Sequence, residues 1–167
     1  IAPASPGATV GRTASASRDH ADRAVEAARE AWKDWQRTSP EDRAAIMFRA
    51  ADILAANRFE NAATQVFEVG KTIPEADGDV SEAVDHIRYN ASEMLRLAAR
   101  QRLGREYPGE LNEYFYEPRG VGAVIAPWNF PMAISAGMLS AVLVAGNTAV
   151  YKPSSLSLVC GWRVVQA

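Results

Sequence analysis

The sequence predicts an α/β protein, helical in its amino-terminal part and opening afterwards into the first βαβ unit of a doubly wound parallel sheet. Three observations predict it. Apolar residues recur at spacings of three and four from Ala21 to Ala98, the period of helices with one buried face. Beyond Gly104 the period changes to short β-forming runs bounded by Gly and Pro. Finally, "GVGAVIAP" and "GNTAVYK" bracket an apolar segment of helical length, which reads as strand, crossover helix and strand.

Each element has its own signals. After a Pro/Gly/Ser-rich lead, "SRDHADRAVEAAREAWKDWQ" places Ala21, Ala24, Val25, Ala28, Trp32 and Trp35 on one helical face, with Ser17 as N-cap and Asp19 in the first turn. "SPEDRAAIMFRAADILAAN" repeats the pattern with Ser39 as N-cap, Pro40 at the first helical position, and Ile46, Met47, Ala50, Ile53 and Leu54 as its apolar face. A third helix runs from Phe59 to Val69 and ends at Gly70, where a left-handed backbone costs little. The longest helical stretch, "TIPEADGDVSEAVDHIRYNASEMLRLAARQRL", opens on Thr72 and Glu75 at capping-box spacing. Its Gly78 weakens it by about 1 kcal/mol relative to alanine.

"LNEYFYEP" then reads as a strand stopped by Pro118, and "GVGAVIAP" as a strand apolar on both faces, as in a buried parallel sheet. A helix over 131–145 follows, in which Ser135, Gly137 and Ser140 suit close packing on the sheet. Gly146-Asn147 turns the chain into "TAVYK", and a further helix is expected to start near Ser155 or Ser157. The expected organisation is a helical part over 1–103, a strand segment over 104–118 and an incomplete βαβ core over 119–167. A two-stranded sheet has exposed edges and is not stable by itself. The chain opens without methionine and ends in "GWRVVQA" within an apolar-periodic run, so both ends read as cut.

Composition narrows the function classes. With 23% charged and 48% hydrophobic residues, the 167-residue chain has the balance of a globular protein. A net charge of −2 without a lysine-arginine cluster argues against nucleic acid as a partner. The longest apolar stretch, Met132 to Gly146, is shorter than the roughly 20 residues a membrane span needs. The single Cys160 excludes an internal disulfide and fits a reducing, cytoplasmic setting; with His20 and His86 far apart, no metal site is expected.

The G-x-G-x-x-G fingerprint is absent from the first βα turn, since Gly120 and Gly122 precede the strand. The turn that is there, Pro127-Trp128-Asn129-Phe130-Pro131, carries two rigidifying prolines at the carboxyl end of a strand, where open α/β sheets bind ligands. A carboxamide at Asn129 can donate to a developing oxyanion at any pH, because it does not titrate. The plainer alternative is a turn or cap residue. Lys152 ends the second strand, where its ammonium can hold ribose hydroxyls or phosphate, or simply face water. Ser155 reads equally as a helix N-cap, and Trp128 as core.

Taken together, "PWNFP", a helix and "GNTAVYKPS" at this spacing resemble the start of the cofactor domain in the aldehyde dehydrogenase superfamily. "VGRTASASRDHADRAVEAAREAWKDW" and "RAAIMFRAADIL" look like the amino-terminal helices of that family, so the resemblance spans nearly the whole chain. It implies a Rossmann-like fold that binds NAD, and with serine rather than glutamate at Ser155, NADP as well. It implies that Asn129 helps form the oxyanion hole. Ile125, Ala126, Pro127 and Trp128 would line the cofactor path, and Lys152 and Ser155 would hold the adenosine end. "NEYFYEP" would belong to an oligomerisation element of a homo-oligomer.

"EVGKTIPEADGDVSEAVDHIRYNASEM" and "AISAGM...YKPSS" resemble one branch more narrowly, the glutamate-γ-semialdehyde (1-pyrroline-5-carboxylate) dehydrogenases, including those fused to proline dehydrogenase. Met138 stands where many other branches carry lysine. In that branch Glu82 would lie near a small-molecule aldehyde substrate, and Phe130 would border its tunnel; the plain readings are an exposed helix carboxylate and a core ring. The implied chemistry is thiolate attack, hydride transfer to nicotinamide and thioester hydrolysis. The family's nucleophilic cysteine and general-base glutamate are expected outside this chain, because Cys160 in "LVCGW" lacks the nucleophile's glycine-rich context. The alternatives are a dehydrogenase of another semialdehyde and a non-catalytic helical interaction module.

Overall fold

The structure is a computed structural model that describes residues 1–104 and 107–167. Among the described residues, six helices and four short strands follow in the order α1 (Arg18–Trp35), α2 (Pro40–Ala56), α3 (Arg58–Val69), α4 (Ile73–Leu97), β1 (Gln101–Arg102), β2 (Glu113–Tyr114), β3 (Val121–Ile125), α5 (Ala133–Val144), β4 (Thr148–Lys152) and α6 (Leu158–Val165). The start signals act as their chemistry requires. Ser17 accepts a hydrogen bond from the His20 amide, and His20 completes the capping box in place of an acid. Ser39 caps α2 through the Asp42 amide, and Thr72 and Glu75 form the reciprocal box that opens α4. Gly70, at φ 74°, ends α3 in the left-handed conformation that glycine adopts without strain.

Three readings are corrected by packing. The buried face of α2 is Arg43, Ala44, Met47, Ala51 and Leu54, whereas Ile53 points outward. The expected long helix stops at Leu97; Gln101–Arg102 instead pairs antiparallel with Glu113–Tyr114, so only two residues of "LNEYFYEP" form a strand. Residues 105 and 106 of the segment expected over 104–118 lie outside the described residues. β3 is buried only at Val124; among the described residues its sheet is β3 and β4 alone, so its outer edge is unpaired and only α1 and α5 pack on it.

The core lies where α4 packs against α2 and α5, built from Ala44, Met47, Ala51, Leu54, Val80, Ala83, Val84, Ile87, Met132 and Ala136 among others. Small residues set the α4–α5 approach. A Cβ on Gly137 would sit 3.3 Å from the His86 ring. Asn90 donates to the Gly137 carbonyl at 3.0 Å and to the Ser140 hydroxyl at 2.9 Å. Gly137 and Ser140 thus face α4; Ser135 alone of the three reaches the sheet, accepting from the Tyr151 hydroxyl at 2.7 Å.

α5 has no acidic residue in its first turn and no basic one in its last. Its end charges come from other helices. The buried Asp79 of α4 accepts from the Met132 and Ala133 amides at 3.2 and 3.1 Å. The buried Arg43 of α2 donates to the Val144 carbonyl at 2.9 Å and also to the Thr38 carbonyl. Trp35 of α1 donates to Leu143 at 3.0 Å. An anion at the amino end and a cation at the carboxyl end both complement the helix dipole. The crossover helix is therefore clamped at both ends by the helical layer, and with it the two turns that flank the sheet.

Candidate functional site

β3 and β4 are parallel, in a register that sets Ile125 beside Lys152. The Asn147 carboxamide oxygen helps fix this register by accepting from the amides of Arg119 and Gly120 just before β3. At the carboxyl end the Ala126 amide still donates to the Lys152 carbonyl at 3.2 Å. Beyond that bond the chains part, one toward α5 and the other toward α6. Their divergence opens the crevice in which α/β sheets hold ligands.

Residues 127–130 line this opening as an exposed turn; Trp128 is 49% and Phe130 44% exposed, so neither is core. The exposed Asn129 carboxamide makes no hydrogen bond among the described residues, unlike Asn90 and Asn147. Lys152 is exposed, its ammonium donating to the Pro153 carbonyl at 3.1 Å. Ser155 is exposed and is not an N-cap, since α6 starts after Ser157. Trp128 and Ser155 border one cavity of about 480 Å³, with Glu68, Leu158 and Val159 among its other walls.

The turn is anchored from beneath. Lys71 lies with its ammonium 4.2 Å from the centre of the Phe130 ring and 3.7 Å from the Asp79 carboxylate. Burial raises the Asp79 carboxyl above the usual carboxylate range, against the opposing pull of Lys71 and of the Ala133 and Met132 amides. Glu82, one helical turn beyond Asp79 on α4, is exposed and lies 3.3 Å from the His86 imidazole.

On the other side of the crevice, Glu68 of α3 accepts from the Val159 and Cys160 amides, both at 2.7 Å. A carboxylate of the protein therefore already occupies the amino terminus of α6. Cys160 is fully buried; burial, reinforced by Glu68, raises its thiol well above the ordinary range. A thiol kept protonated and away from solvent is a poor nucleophile.

The structure thus brings Ile125, Ala126 and Lys152 together at the sheet end, and Trp128 and Ser155 on one cavity. Pro127, Asn129 and Phe130 lie on the connecting turn, with Glu82 set apart on α4. Sequence reasoning missed Lys71, Asp79 and Glu68. Asp79 left a trace, as a carboxylate on the buried stripe that includes Ala76, Val80 and Ala83. Such a charge requires a partner. Among the described residues no cluster of three or more His, Cys, Asp or Glu side chains could hold a metal, and no helix is long and apolar enough to cross a membrane.

Comparison with known proteins identifies relatives of the whole chain. The chain is 46% identical over 166 residues to a 1-pyrroline-5-carboxylate dehydrogenase of Geobacillus kaustophilus, covering 99% of this chain and 32% of that protein. It is 44% identical over the same length to 1-pyrroline-5-carboxylate dehydrogenase 2 of Bacillus subtilis, again 32% of the relative. Among solved structures, 1-pyrroline-5-carboxylate dehydrogenase from Thermus with bound NAD superposes with a TM-score of 0.87 at 43% identity, over 92% of this chain and 30% of that one. Proline utilization A from Bdellovibrio bacteriovorus gives 0.88 at 50% identity, over 90% of this chain and 16% of that one. The chain thus spans about a third of the length of the curated relatives it matches. The profile of the aldehyde dehydrogenase family matches residues 1–167 in full, and the chain belongs to that family.

Proposed function

We propose that this chain is the amino-terminal third of an NAD(P)-dependent aldehyde dehydrogenase that oxidises L-glutamate γ-semialdehyde to L-glutamate in proline catabolism. The observation that carries the reading is the exposed Asn129 turn at the end of β3, in register with the strand that ends in Lys152. Identity of 44–46% to dehydrogenases of 1-pyrroline-5-carboxylate, the cyclised form of that semialdehyde, supports the substrate.

The residues present fit a dinucleotide. Ser155 and Trp128 border the cavity, the exposed Lys152 stands near it at the end of β4, and Glu68 occupies the α6 terminus where a phosphate could otherwise sit. When bound, the nicotinamide supplies the hydride acceptor. Lys152 and Ser155 hold the adenosine ribose, and Ile125, Ala126, Pro127 and Trp128 line the path. A serine in place of a carboxylate at 155 leaves room for the 2′-phosphate of NADP. Asn129 donates its NH₂ to the oxyanion that forms on the aldehyde, Phe130 borders the aldehyde's approach, and Glu82 orients the substrate's ammonium group. The nucleophilic cysteine and general base come from outside residues 1–167; the sealed thiol of Cys160 supports this for the cysteine. Residues 104–118 serve a homo-oligomer interface, the enzyme is cytoplasmic, and a fused proline dehydrogenase domain is compatible with the likeness to proline utilization A.

The test is kinetic. The parent enzyme should show a higher kcat/KM for glutamate γ-semialdehyde than for a simple alkyl aldehyde, with residues 1–167 alone inactive. Glu82→Gln should narrow that gap, and equal losses on both substrates would place Glu82 outside the recognition surface. Absence of cofactor reduction by the parent with any aldehyde would overturn the reading.

A further inference from the structure

Lys71 is anomalous among the lysines of this chain. Its ammonium is buried and, among the described residues, has no hydrogen-bond partner. The nearest Asp79 oxygen is 3.7 Å away, beyond hydrogen-bond reach, and its side chain is only 12% exposed. A charge held this way costs stability that an apolar side chain of similar length would not. The fold alone gives no reason for it.

Its two neighbours supply one. Phe130, whose ring the ammonium faces, directly follows Asn129 in the chain. Asp79, its ionic partner, holds the Met132 and Ala133 amides where the same turn enters α5. Lys71 therefore touches the exposed end of the segment that aims the carboxamide through Phe130, and reaches its buried end through Asp79. The ring face attracts the cation through its quadrupole.

We propose that Lys71 is a positioning residue for Asn129: its buried ammonium ties the Phe130 ring to Asp79 and so fixes the direction in which the carboxamide points. This deepens, and rests on, the oxyanion role given to Asn129 above. A donor that must be in place before charge develops loses much of its effect when its support loosens.

The experiment is a double-mutant cycle in the parent enzyme, using Lys71→Met, Asn129→Ala and both together. Lys71→Met should lower kcat by roughly 10- to 100-fold and leave the Kd for NAD unchanged, while Lys71→Arg restores most of the loss. In the Asn129→Ala background, Lys71→Met should cost nothing further. Losses that multiply instead would overturn the proposal, because Lys71 would then act independently of Asn129. A second readout does not depend on activity. Amide hydrogen exchange over residues 128–133 should quicken in Lys71→Met and, should that variant not fold, in Phe130→Leu, which alters an exposed ring. Unchanged exchange would overturn the positioning role, whereas a parent inert toward aldehydes but with quickened exchange would overturn only the aldehyde reading.

Discussion

At the contact between α4 and α5, buried polar groups find partners within the chain; at the carboxyl ends of β3 and β4, polar groups of the same kinds face outward. Asparagine shows the contrast best. Asn90 bonds Gly137 and Ser140 between the two helices, and Asn147 bonds the backbone leading into β3. Asn129 stands exposed on a turn rigidified by two prolines. Acids and bases divide likewise: Asp79 and Arg43 are consumed in closing the ends of α5, while Lys152 and Glu82 are not. The difference teaches that in this molecule residue type does not mark function. Placement separates the two groups: Asp79 and Arg43 are buried and bonded across the fold, whereas Asn129, Lys152 and Glu82 are exposed, Asn129 with no hydrogen-bond partner among the described residues.

Three substitutions in the parent enzyme test that division. The largest expected effect is on the rim. Asn129→Ala should lower kcat by about 10²–10³, or 2.7–4 kcal/mol of transition-state stabilisation, with little change in melting temperature. If kcat stays within a few-fold while stability collapses, Asn129 belongs with Asn90 and Asn147, and the division fails. Next comes Arg43→Met, which fills much of the same space but leaves the Val144 and Thr38 carbonyls unbonded. We expect a stability loss of about 2–3 kcal/mol in denaturant unfolding, with kcat/KM for the properly folded fraction nearly unchanged. A specific loss of cofactor binding would show that the clamp on α5 serves the site directly. The smallest effect is at Ser155. Ser155→Glu places a carboxylate beside the proposed ribose position and should shift the ratio of kcat/KM values toward NAD over NADP by about 1–3 kcal/mol. An unchanged ratio would move the reader of the 2′-position to another residue.

Much of the layer that positions the site was legible in the sequence, because local chemistry wrote it. Ser17, Ser39 with Pro40, and Thr72 with Glu75 start their helices through bonds to residues three positions on. The turn carrying Asn129 and the strand end at Lys152 were equally visible, as an apolar run closed by proline and glycine. What escaped was made by residues distant in sequence. Glu68 reaches the α6 amides across 91 and 92 positions, Asp79 the α5 amides across 53 and 54, and Arg43 the end of α5 across 101. No pattern of spacing encodes such pairs. Nor does propensity reveal β1, whose two residues are strand only because Glu113 and Tyr114 lie alongside. The outward turn of Ile53 has the same origin, since the placement of α4 decides which face of α2 is covered.

The burial of Cys160 makes it a clock. It is the single thiol of residues 1–167, on a helix whose first amides are held by Glu68, and it is fully enclosed. A thiol reagent can reach it only when the packing around α6 opens, and a reagent fast enough to outrun reclosing labels it at each opening. The rate at which mass is added to the peptide containing Cys160 therefore reports how often that wall of the crevice opens. Occupancy of the crevice by a cofactor that leans on the same wall would slow the clock, giving a measure of binding that requires neither turnover nor an optical signal.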